Sequence, residues 1–95
     1  MNNDVDKKPW PKTKEEAVDR ILLELPEADK EIIKNIPTEF DLYEYHHGLG
    51  LWIRNNFGLY QGNNDLLQFL GLKRHPDDVS MSIIRALWNR LREEK

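Results

Sequence analysis

Apolar residues recur along this chain at the spacing of a helix, and no segment shows the strict alternation of a half-buried strand. Thr13 followed by Glu16 is a capping box, so a first helix is predicted from that point. Ala17, Val18, Ile21, Leu22 and Leu25 form its apolar face, and Glu15, Asp19, Arg20 and Glu24 its polar one. Pro26 stops this helix or opens the next. A second helix over about 27–35 buries Ala28, Ile32, Ile33 and Ile36, and Pro37 ends it. Thr38, with Asp41 three residues on, caps a third helix whose apolar side is Leu42, Tyr45, Leu49, Trp52 and Ile53. Asn55, Asn56, Phe57 and Gly58 form its exit, since Asn and Gly tolerate the left-handed conformation that closes helices. After a turn at 61–64, with Asn63 or Asn64 as cap, Leu66, Leu67, Phe69 and Leu70 predict a short helix ended by Gly71. Pro76 with Asp77 and Asp78 starts the last one, and its stripe of Val79, Ile83, Ile84, Leu87, Trp88 and Leu91 carries it to about Glu93. The expectation is an all-α protein: a compact bundle of about five helices around a central glycine-containing helix.

Length changes that picture only by bounding it. A chain of 95 residues supports one core, so residues 10–95 are expected to form a single helical domain behind a flexible leader at 1–9, which is polar and without periodicity. With 39% hydrophobic and 33% charged residues the composition is that of a globular protein. No apolar run approaches the ~20 residues of a membrane span, and the N-terminus lacks the blocks of a secretion signal, so the expected location is cytoplasmic. The absence of cysteine excludes disulfides, thiolate nucleophiles and thiolate zinc sites. The net charge of −3 is unevenly spread: residues 1–47 hold seven basic residues against twelve acids, residues 48–95 seven against five. Without a concentrated basic surface, nucleic-acid binding is disfavoured, a basic strip on the last helix being its one foothold.

Two glycines inside the third predicted helix ask for a reason, because each costs about 1 kcal/mol relative to alanine. Closer approach of a neighbouring helix, a kink, or room for a ligand would each offset that cost. If the helix runs unbroken through Gly48 and Gly50, then at 100° per residue Tyr43, His46, His47, Gly50 and Arg54 fall within about 60° of one direction. Gly50 would then be a dip between imidazoles and a guanidinium, the shape of a small anion notch. His46, Gly50 and Arg54 would form it, completed by Asn55, His75 and Asp78. The structural alternative is a buried network, with a salt bridge from Asp77 or Asp78 to Arg54 or Arg74.

No catalytic set is expected. Adjacent His46 and His47 lack the spacing that aims two imidazoles at one metal ion, and nothing indicates a cofactor. Asp77 and Asp78 point about 100° apart at a helix start, where capping explains them. Ser80 and Ser82 lie near the start of a helix, have no nucleophile elbow around them, and read as capping residues. The tryptophans read as core volume.

The residues Trp10-Pro11-Lys12-Thr13 ahead of Glu16-Ala17-Val18, then His46, Gly48-Leu49-Gly50, Ile53-Arg54-Asn55, Phe57-Gly58-Leu59, His75-Pro76-Asp77-Asp78, Ser80, Ile84 and Trp88 carry a resemblance across nearly the whole of 10–95. In this signature the chain resembles an uncharacterised family of short bacterial helical domains of unknown function. It departs at His47, where the family has an aromatic such as phenylalanine, and at Tyr60, where it has tryptophan. The resemblance implies a compact helical fold and supplies no substrate or partner. The functional expectation is therefore a small protein-protein interaction module, a regulatory or immunity-like partner that binds another protein or a second copy of itself. The alternative is binding or turnover of a small anion at the His/Gly/Arg notch.

Overall fold

The computed structural model describes residues 10–45, 47–63, 65, 66, 68 and 75–93. The leader at 1–9, His46, Asn64 and most of the predicted helix at 66–70 lie outside the described residues. Among the latter the chain is helical without strands: α1 (Lys14–Glu24), α2 (Glu27–Lys34), a 3₁₀ helix (Phe40–Tyr45), α3 (Leu49–Asn56) and α4 (Pro76–Glu93). The all-α architecture expected from the apolar periodicity is the one observed.

Local chemistry sets most boundaries. The Glu16 N–H donates to Thr13 Oγ1 at 3.1 Å, and the Glu16 carboxylate accepts from the Lys12 N–H at 3.0 Å, so the box closes one residue upstream of its usual partner. Pro26 is the N-cap of α2. Thr38 accepts from the Asp41 N–H and donates to its carboxylate. The bonds that follow, from Asp41 to Thr38 and from Leu42 to Glu39, are three residues long, and the segment winds as a 3₁₀ helix.

The third predicted helix is thus two elements rather than one. The backbone turns at His47–Gly48, and Gly48 becomes the N-cap of α3. Breaking there removes the helix penalty of one of the two glycines and leaves only Gly50 inside α3. At the far end Phe57 caps α3, and Gly58, in the left-handed conformation expected at this exit (φ 70°), lets the Leu59 N–H reach the Arg54 carbonyl at 3.1 Å, a Schellman closure.

The helix that touches all the others is α4, which packs on α1, α2, α3 and the 3₁₀ helix. Its predicted stripe is buried, and the buried arc widens to include Ser80 and Met81 because neighbours flank it on several sides. Ala17, Val18, Ile21, Ile33, Ile36, Leu42, Ile53, Phe57 and Leu66 complete the core. Two expectations for α2 fail: Ala28 is exposed and Ile32 is 54% exposed. This helix meets the core along a narrower strip than its sequence offers, leaving Ile32 outside.

Candidate functional site

Two arrangements on this scaffold merit description as sites, and both touch α3. The first is the junction around Arg54. Its side chain is buried against α4, where Nη1 donates to Ser80 Oγ at 3.0 Å and Nε lies 3.4 Å from the Asp77 carboxylate. That Nε has no hydrogen-bond acceptor, so its link to Asp77 is ionic rather than a directed bond. Ser80 Oγ donates in turn to the Asp77 carbonyl at 2.9 Å, and Tyr60 donates its hydroxyl to the Asp77 carboxylate at 3.2 Å. His75 precedes the helix and caps it: its Nδ1 accepts from the Asp77 N–H at 3.0 Å, which requires an imidazole unprotonated at that nitrogen.

Gly50 is explained by this junction. A methyl placed on it would lie 3.1 Å from Arg54 Nη1 and 3.6 Å from Ser80 Oγ, so the missing side chain is the space the guanidinium occupies. The sequence brought Gly50 and Arg54 together correctly, and the structure adds the partner that faces them. Asp77 holds that place, whereas Asp78 and Asn55 are exposed. His75 reaches the cluster only through Asp77, and His46 lies outside the described residues. Tyr43 and His47 are exposed while Gly50 and Arg54 are buried, and the turn at Gly48 interrupts the helix that the notch assumed to be continuous. Ser80, read from the sequence as a capping residue, is a fully buried bridge between α3 and α4. The Arg54 cation is thus held by Ser80 and Asp77 of its own chain.

A second polar knot went unseen in the sequence except as a cap. Asn63 is buried; its amide donates to the carbonyls of Pro11 at 2.9 Å and Phe57 at 2.7 Å, while its Oδ1 accepts from the Leu66 N–H at 3.3 Å. It ties the entry of the domain to the exit of α3. Trp10, expected in the core, is 39% exposed and lies over Gly58, whose missing side chain leaves room for the indole.

The second arrangement is an apolar cleft of about 480 Å³ where α1, α2, the end of the 3₁₀ helix and the start of α3 meet. Ile21, Leu25, Ile33, Leu49 and Trp52 line it, with Ile32, Tyr45 and Gly48 around them and the carboxylates of Glu24 and Asp29 also on its wall. Its volume falls in the ~300–1,000 Å³ range of ligand clefts. Among the described residues no lysine, arginine or histidine contributes to the lining. The sequence had assigned Ile21, Ile32, Ile33, Leu49 and Trp52 to the core. The cleft lies where Pro26 separates α1 from α2 and the chain turns at Gly48, and a periodicity gives the angle of neither junction.

Among the described residues no group of three or more histidines or acids is placed to hold a metal ion, and no helix is long and apolar enough to cross a membrane. No curated protein and no solved structure matches the chain. A family model does match, over residues 10–91, and it spans both the Arg54 junction and the cleft. The chain belongs to the family described as a domain of unknown function, DUF6794.

Proposed function

We propose that this domain is a protein-binding module whose docking surface is the apolar cleft between α1, α2 and α3. The observation that carries the reading is Ile32, a β-branched residue left 54% exposed at the edge of a cleft floored by Ile33, Leu49 and Trp52. Exposed apolar surface gathered around a concavity and edged by charge is the signature of a surface that another molecule covers. Among the described residues polar groups do not converge on the cleft floor, as they would to orient a small substrate. The only arginine of α3 is turned inward onto Ser80 and Asp77, which speaks against a small anion as the ligand. A domain that presents one apolar surface, with no nucleophile or acid-base pair assembled among the described residues, suits a regulatory or immunity-like partner.

The test is site-specific photocrosslinking in the native host. A photoreactive residue at Ile32 is expected to give a discrete adduct with one protein, absent when the same residue replaces exposed Asn89 on α4. Equal labelling at both positions, or none at Ile32, would overturn the proposal.

A further inference from the structure

Resting on the docking reading above, we infer that the occupant of the cleft is a basic amphipathic helix, its apolar face seated on Leu49 and Trp52 and its lysines or arginines meeting Glu24 and Asp29. The charge argument begins with α1. Glu24 is the last residue of that helix, and its final turn contains no basic residue. A carboxylate there adds to the negative pole of the helix, an unfavourable placement that a cation from outside relieves. Asp29 stands across Pro26 on α2 and lines the same cleft. Among the described residues neither carboxylate has an ion-pair partner; Lys30, the cation next to Asp29 in sequence, is bound to Glu27 at 3.1 Å. The wall is therefore acidic, with no cation of its own among the described residues.

The shape argument concerns the partner's backbone. The described residues present no strand, so no sheet edge is on offer to an extended peptide. A groove walled by helices and floored by branched and aromatic side chains receives a helix through apolar residues at i, i+3, i+4 and i+7. Basic residues beside that stripe would lie over the acidic wall, where their long stems also cover apolar surface. Charge of this kind sets partner choice and encounter rate more than total affinity.

The experiment uses two synthetic helices of about 15 residues with the same leucine face, one with lysine and one with glutamate at the remaining positions, titrated into the full chain by calorimetry. The lysine helix is expected to bind about tenfold more tightly, two exposed ion pairs acting together, and the preference should shrink as salt rises. Glu24→Lys with Asp29→Lys should abolish the preference. Glu31→Lys with Glu44→Lys, which changes the net charge equally away from the cleft, should leave it intact. Ile32→Asp should weaken both peptides. Equal affinity for the two peptides, or equal effects of the two charge-reversal pairs, overturns the basic partner while leaving the docking reading to the Ile32 variant. Binding of neither peptide overturns the inference, and crosslinking at Ile32 then decides the docking reading independently. A chain that is dimeric at assay concentration and made monomeric by Ile32→Asp would identify a second copy as the occupant and also overturn it.

Discussion

If Gly50 is present to admit the Arg54 guanidinium, replacing it with alanine should harm the wild type and help a chain that lacks the arginine. The new methyl would lie 3.1 Å from Nη1, several tenths of an ångström inside ordinary contact, so the guanidinium must shift and strain its 3.0 Å bond to Ser80. A hydrogen bond from a charged donor is worth about 1.5–3 kcal/mol, and a strained one loses a fraction of that. Against this loss, alanine in a helix gains up to ~1 kcal/mol over glycine. The expected balance for Gly50→Ala is a destabilisation of about 1 kcal/mol, or a fall in Tm of about 4–8 °C for a domain of this length. In an Arg54→Ala background the clash is gone and the methyl enters vacated space, so the same substitution should stabilise by up to ~1 kcal/mol. Urea denaturation of the four proteins gives the coupling directly, expected at about 2 kcal/mol. Coupling below ~0.5 kcal/mol, the level of independent sites, would refute the assignment of Gly50 to guanidinium packing.

Three further substitutions test the other contacts. Gly58→Ala combines a left-handed backbone, at φ 70°, with a methyl driven into the Trp10 indole; a loss of about 3 kcal/mol or more is expected in chemical denaturation, and relief by Trp10→Ala would identify the indole as the larger cause. Asn63→Ala leaves the Pro11 and Phe57 carbonyls without their shared donor and should cost about 2–3 kcal/mol, with faster amide exchange at Leu66 as the local sign. His75→Ala removes the cap of α4 and should cost about 1 kcal/mol, while His75→Asn, which keeps an acceptor at the cap, should restore most of it.

Helix existence was legible because it depends on neighbours in sequence. Thr13 with Glu16, Thr38 with Asp41, and Pro76 with the acids after it act through backbone groups three or four residues away. The stripe on α4 was legible for the same reason, as was the close of α3 at Gly58. A glycine-bearing segment as one continuous helix was not, because phase is lost at a single turn. The bonds that stop the 3₁₀ helix and restart α3 at Gly48 are decided by how Leu42 and Ile53 both reach the core, and wheel arithmetic assumes the answer.

The chain alone determined that the described residues would fold as helices without strands, where most of those helices begin and end, and that Gly50 and Arg54 would face one way. Tertiary structure decided that the arginine turns inward onto Ser80 and Asp77 rather than outward to a ligand, and that Ile32 stays outside the core beside an acidic cleft. The physical reason is range. Caps and periodicity are written within one or two turns, whereas Arg54 meets Ser80 across 26 positions, and a cleft is the space left when α1, α2 and α3 settle around α4.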